Sequence, residues 1–287
     1  MSIKEDILEF MKNRPEVIGI IGYGSGVNPQ KGQEKRKPQV DLIVIVDNLK
    51  AWHKQNIELN KKDYSFTSRL FFKLGSENTL KSGAKICYMT YIPFKNQEYK
   101  IGTIELADFL DDLNNWTTFY MAGRMHKPIL VVKANKEIEK AILENRLYGI
   151  NATKVLAGNG EIDEKEFYMM FAGLSYIGDT RMCIAENPDK VKNIVLGRLD
   201  FYEEVYGSKL GVKEGKIYIK EEDYLLPDSL TKFISNYKGE KAQAIRQFLT
   251  EKNKNHSLAQ TIKGIFTTGP VKAIKYALAK LKRKKGK

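Results

Sequence analysis

The residues best suited to chemistry begin with "YGSGV" at 23–27, which closes an apolar run, and Asp41, which opens the next one, "DLIVIVD" at 41–47. Gly24 and Gly26 lack side chains, so backbone N–H groups in a turn there can approach a phosphate closely. The Ser25 hydroxyl adds a donor and Tyr23 a neighbouring wall. A carboxylate on the adjoining strand is a hard oxygen ligand for Mg²⁺, which offsets the charge of a triphosphate. These types in this order fit a nucleotide cradle at Tyr23, Gly24 and Ser25, with Asp41 as catalytic metal ligand, or else a structural turn beside an ordinary sheet. Two other phosphate-binding patterns fail. No GK[ST] follows the turn, and Pro29 stands where a dinucleotide fingerprint would open a helix.

Other polar residues interrupt apolar sequence. Asp179 and Arg181 fall inside "FYMMFAGLSYIGDTRMCI" at 167–184, where a buried charge is unfavourable unless it is satisfied. Gly178 is placed to break or thin a helix there. Lys100 lies on a predicted strand with a phosphate in reach, or is a plain exposed lysine. Arg124 and Lys127, in "AGRMHKP", suit either phosphate at a domain junction or the negative end of a helix terminated by Gly123. His53 reads as a histidine packed on a helix face or a nucleotide contact. His126 and His256 have no evident ligand partners.

The elements that must hold these groups follow from apolar patterning. Runs 17–22 and 40–46 are short, β-branched and bounded by turn residues, hence strands. The segments 85–92 and 98–104 predict a hairpin, and helices are expected over 48–58 and 66–79. From about residue 106 the pattern becomes helical, with Leu106, Phe109, Leu110, Leu113, Trp116 and Phe119 on one expected stripe. Helices at 136–149, 164–185, within 187–206, 228–237 and 240–251 follow, with one strand at 216–220. Asp47 is expected to end its strand or cap the helix after it.

Composition narrows the setting. The 287 residues allow two domains, and no apolar run approaches the roughly 18 residues of a membrane span. Two distant cysteines, Cys87 and Cys183, argue against a disulfide scaffold or a zinc site. Of the net charge of +13, eight positive charges lie in residues 272–287, which contain no acid, leaving +5 for the rest. In that tail Val271, Ile274, Leu278 and Leu281 recur at helical spacing among lysines, including Lys282 and the adjoining Arg283. Such a helix suits an anionic membrane surface, its apolar side among acyl chains, the alternative being a C-terminal helix docked on the protein with a solvated basic end. Tyr276 is the tail's single aromatic, so no nucleic-acid partner is expected.

Gly-Ser followed by an acid on the next strand resembles the polymerase-beta type of nucleotidyltransferase. A wider set of stretches is similar to one family: "YGSGV", "DLIVIVD", "AWHKQN" (51–56), "DYSF" (63–66), "DDLNNWTTFYMAGRMHKP" (111–128), "AGLSYIGDTRM" (172–182), "ENPDKVKNIV" (186–195) and "TIKGIFTTGPVKAIKYAL" (261–278). In that order they resemble the mitochondrial translocator assembly and maintenance proteins, which are phosphatidate cytidylyltransferases. The resemblance implies an α+β fold. A mixed-sheet nucleotidyltransferase domain (1–106) would precede a helical, winged-helix-like domain (107–252) and a basic amphipathic tail (253–287). It implies CTP and phosphatidic acid as substrates, Mg²⁺ as cofactor, and CDP-diacylglycerol and pyrophosphate as products. The superfamily places two acids one residue apart on the second strand, whereas Gln39 stands at the first position here. Asp179 is then expected to supply the missing metal carboxylate and Arg181 to clamp phosphate, a buried structural ion pair with other residues being the alternative. The chain starts without a presequence, which favours a bacterial relative on the cytoplasmic face of the cell membrane, or the mitochondrial inner membrane if eukaryotic. Transfer to a soluble or RNA acceptor, and a non-catalytic membrane assembly role, are the competing readings.

Overall fold

The computed structural model describes residues 2–28, 39–179, 189–220, 224–269, 271 and 274. The chain opens with α1 (Ile3–Met11), where Ser2 accepts from the Glu5 N–H and the Glu5 carboxylate accepts from the Ser2 N–H. Next come β1 (Gly19–Tyr23), β2 (Val40–Val46), α2 (Leu49–Leu59), α3 (Phe66–Leu74), α4 (Glu77–Leu80), β3 (Cys87–Phe94) and β4 (Gln97–Glu105). The cap of α2 is Asn48, whose side chain accepts from the Ala51 N–H, and Asp47 marks the strand end. Then follow α5 (Leu106–Asn115), α6 (Ala122–Met125), β5 (Ile129–Lys133) and α7 (Lys136–Ala157).

The five strands form one mixed sheet in the order β3-β4-β2-β1-β5, with β2 and β4 parallel and the other pairs antiparallel. Period-two alternation in β2 divides its side chains between two cores. Val40, Leu42, Val44 and Val46 pack with Phe10, Trp52 and Phe72 on the α1–α3 face. Ile43 and Ile45 pack with Phe109, Leu113, Ile138 and Ile142, from α5 and α7, on the other. Asp41 has the same parity as Ile43 and Ile45, so it belongs to the α5/α7 face. β5 was not anticipated. Its five residues follow Pro128 in a segment expected to be helical, yet they extend the sheet beside β1.

The second half holds β6 (Gly160–Asp163), α8 (Glu164–Gly173), α9 (Lys190–Leu196), α10 (Leu199–Tyr202), α11 (Ser208–Leu210), β7 (Lys216–Ile219), α12 (Asp228–Asn236) and α13 (Lys241–Thr268). β6 and β7 pair antiparallel, and Phe167, Phe171, Tyr202, Tyr206 and Ile245 form the centre of this core. The expected stripe from Leu106 to Phe119 is corrected here. α5 stops at Asn115 because Trp116 takes a left-handed φ of 52°, which sends Trp116 and Phe119 into this second core while Phe109 and Leu113 stay under the sheet. The helix expected over 164–185 is also shorter: α8 ends at Gly173, and Gly178 has a φ of 72°.

α7 contributes to both cores, and α13 runs unbroken through residue 252. Ile245 and Phe248 of α13 sit in the helical core. Farther along, Gln260 donates to the Ile86 carbonyl (3.0 Å) and Lys263 to the Leu80 carbonyl (3.0 Å), straps that fix the helix across the sheet half. The helix thus crosses residue 252 without a break. No described helix is long and apolar enough to cross a membrane.

Candidate nucleotide site

Tyr23, Asp41 and Lys100 lie in line across three strands. Tyr23 pairs with Asp41 in the antiparallel β1–β2 ladder, and Asp41 pairs with Lys100 in the parallel β2–β4 ladder. Adjacent register points their side chains to the same face. The Lys100 ammonium lies 3.2 Å from the Asp41 carboxylate and 4.5 Å from the centre of the Tyr88 ring. Both partners stay partly open to solvent, with Asp41 the more exposed at 26% of its side chain and Lys100 at 15%.

The glycine turn closes over this line. Gly24 has a φ of 75°, and a Cβ built on it would stand 3.3 Å from Asp41 Oδ2. The backbone here is thus both left-handed and pressed against the carboxylate, a combination glycine meets without strain. Gly24 also accepts from the Asn28 N–H (2.9 Å), which curls residues 24–28 into a compact turn carrying Ser25. Asn28 donates to the Pro128 carbonyl (3.0 Å) and accepts from the Arg198 guanidinium (2.7 Å). The turn is thereby tied to both halves of the chain.

A ring of aromatics and cations borders the line. Arg124 donates to the Tyr120 carbonyl (2.6 Å), lies over the Tyr120 ring at 3.6 Å and stands 5.7 Å from the Tyr23 ring. The Tyr120 hydroxyl donates to that of Tyr88 (3.2 Å). Among the described residues the buried Tyr23 hydroxyl has no partner in hydrogen-bonding geometry. Burial raises its pKa and so keeps it a neutral donor. Burial opposes the Arg124 charge, yet the net shift is upward, with Tyr120, Tyr88 and Tyr23 as the neighbours that raise it, and the guanidinium stays charged as arginine does. Lys127 lies 4.0 Å from the Tyr176 ring centre, with Lys190 5.2 Å away on the same ring. Burial lowers the Lys127 pKa; Tyr176 opposes the shift and Lys190 reinforces it.

Gly123 does not end a helix, which corrects one expectation for this segment. It lies within α6, where a Cβ would sit 2.6 Å from the Ser175 side chain, so its smallness lets the two segments meet. Asp179 is buried beyond Tyr176, whose carbonyl accepts its N–H (3.1 Å). The adjoining Gly178 packs against Thr250 of α13. Arg181 lies outside the described residues, as do Leu278, Leu281, Lys282 and Arg283; Ile274 is described and exposed. His53 is a core residue, stacked on Phe72 at 3.6 Å and bonded to the Tyr64 hydroxyl at 2.9 Å.

Among the described residues, no three His, Cys, Asp or Glu side chains gather into a metal-binding group. Mg²⁺ is ordinarily held by one or two carboxylates together with substrate phosphates. Asp41, partly open and beside the turn, fits that mode. Sequence reasoning missed Tyr88, Tyr120, Tyr176, Lys190, Arg198 and Asn28. The quoted motifs contain three of the six, Tyr120, Tyr176 and Lys190, but no local pattern distinguishes them from packing residues.

A family model described as "Phosphatidate cytidylyltransferase, mitochondrial" matches residues 5–229 and 228–283. The chain belongs to that family. Three relatives named as mitochondrial phosphatidate cytidylyltransferases are similar to it. The Schizosaccharomyces pombe protein is 29% identical, over 98% of this chain and 84% of its own length. The Saccharomyces cerevisiae protein is 34% identical over 91% of this chain and 65% of its own, and the Xenopus laevis protein 31% over 90% and 88%. All three family members are eukaryotic and lend no support to a bacterial setting.

Proposed function

We propose that the chain is a phosphatidate cytidylyltransferase. It transfers CMP from CTP to phosphatidic acid at a membrane surface, giving CDP-diacylglycerol and pyrophosphate. Family membership supports the reaction class. The observation that carries the site assignment is the line Tyr23–Asp41–Lys100 on one sheet face, capped by the Gly24 turn. In this reading the sheet half acts as a polymerase-beta-type nucleotidyltransferase domain and the helical half as a winged-helix-like module.

A phosphatidate oxygen attacks the α-phosphorus of CTP. The new P–O bond forms as the bond to the β-phosphate oxygen breaks, and pyrophosphate leaves with the electron pair. The nucleophile is already an anion, so no strong general base is needed and catalysis rests on positioning and charge neutralisation. Gly24 and Ser25 hold the triphosphate through backbone N–H and hydroxyl donors. Lys100, Arg124 and Lys127 offset its charge, and Tyr23 offers a neutral hydroxyl. Asp41, joined by Asp179, would hold Mg²⁺, which supplies charge neutralisation across the phosphates. Arg181 acts as a further phosphate clamp.

The test is purified protein with labelled CTP, Mg²⁺ and phosphatidate in mixed micelles. Labelled CDP-diacylglycerol with stoichiometric pyrophosphate is the expected result. CTP consumption with RNA or a soluble alcohol, and none with phosphatidate, would overturn the assignment.

A further inference from the structure

α3 presents an apolar stripe to solvent. Phe66, Leu70 and Leu74 recur every four residues, on one side of the helix, and are 72%, 46% and 69% exposed. Ile262, Ile265 and Phe266 of α13 are exposed as well. The two stripes are neighbours: the Phe71 and Phe266 rings stack at 6.0 Å, and Gly269 lies against Ser65 at the start of α3. An open cavity of about 450 Å³ lies between the helices. Val271 and Ile274, at 79% and 60% exposed, continue the apolar surface past the end of α13. A contiguous apolar surface of this kind on a soluble fold marks a docking face.

We infer that the exposed sides of α3 and the end of α13 together form a face that inserts into the interface of an anionic phospholipid bilayer. Charge selects this occupant. α3 carries Arg69 and Lys73 and no acid, and the last acidic residue of the chain is Glu251. The 36 residues from 252 to 287 hold eleven Lys/Arg and no Asp or Glu. An apolar patch followed by uncompensated positive charge matches the layering of acyl chains beneath anionic headgroups. Lys263 strengthens the argument. Its ammonium turns inward to the Leu80 and Ser82 carbonyls, so the exposed side of α13 between Ile262 and Phe266 is left apolar. The inference deepens the proposed function, because it places a structured part of the fold, and not the basic tail alone, on the membrane that contains the acceptor.

The experiment uses the full chain and vesicles of phosphatidylcholine and phosphatidylglycerol, without phosphatidate, so that docking is read apart from turnover. In a Phe66→Trp variant the introduced indole should shift to the blue on anionic vesicles and be quenched by lipids brominated along the acyl chain. Leu70→Ser combined with Leu74→Ser should weaken vesicle binding about tenfold or more, while turnover of a monomeric short-chain phosphatidate stays within about twofold. An indole that stays in water on vesicles binding the protein normally would overturn the inference. So would a double serine variant that binds as the wild type does, or light scattering showing that this face joins two copies of the chain. Insertion without turnover of either substrate would defeat the reaction assignment and leave the docking face standing.

Discussion

Asp112 offers the sharpest test of how the site is held. It is 1% exposed and lies in α5, away from the sheet edge. Its Oδ1 accepts the N–H groups of Thr118 and Phe119, both at 2.6 Å, and its Oδ2 those of Met121 (2.6 Å) and Ala122 (3.2 Å). Four backbone donors thus converge on one carboxylate, and the turn they form contains Tyr120 and leads into Arg124. The turn is strained, since Trp116 and Phe119 have φ of 52° and 57°, each unfavourable by about 1–3 kcal/mol. Asp112→Asn keeps the shape but turns one acceptor oxygen into an amide nitrogen, which leaves two buried donors unsatisfied. At about 1–3 kcal/mol per orphaned donor, the expected destabilisation is about 2–6 kcal/mol. That is a large share of the roughly 5–15 kcal/mol that holds a typical domain folded. Urea denaturation reads it directly, and kcat/KM for CTP should fall in parallel as Arg124 loses its support. A loss below about 1 kcal/mol at unchanged m-value would refute the assigned role of Asp112.

Three further outcomes follow from the geometry. Lys100→Met removes the cation beside Asp41, and kcat/KM for CTP should drop about 10²-fold with little change in the urea midpoint. Because burial lowers the Lys127 pKa, its positive charge is lost at lower pH than for an ordinary lysine. CTP affinity should therefore weaken on an alkaline limb below the usual lysine range, and Lys127→Arg, which stays charged, should move that limb upward. His53 and His126 are held neutral by burial, their pKa pushed from 6.5 down to about 3. The unfolded chain binds protons that the folded one refuses between those values, so stability falls as pH falls. Between pH 7 and 5 the loss should be roughly 2 kcal/mol per histidine, seen as a falling urea midpoint, and His53→Gln should remove part of it.

The sequence disclosed those parts of the candidate site whose juxtaposition is local. Gly24, Ser25 and Asp41 were visible because a turn after one β-run and a carboxylate in the next need only short-range pattern. Lys100 was placed on its strand, but its contact with Asp41 depends on the parallel pairing of β2 and β4, a crossover that periodicity does not specify. The bond from Arg198 to Asn28 spans 170 residues and has no local signature. The stripe through Trp116 failed for a different reason. Its apolar spacing continues past the end of α5, and only the four donors drawn to Asp112 reveal why the chain turns there. β5 was hidden because five residues after a proline carry too little pattern to outweigh a helical neighbourhood.

The central claim is that the Asp41 carboxylate, under the Gly24 turn, anchors the reacting triphosphate with its metal. CMP transfer from CTP to phosphatidate by Asp41→Asn, at saturating Mg²⁺ and with the urea midpoint held near the wild-type value, tests it most directly. The account predicts a rate at least about 10²-fold lower. A rate within about threefold of the wild type would contradict it.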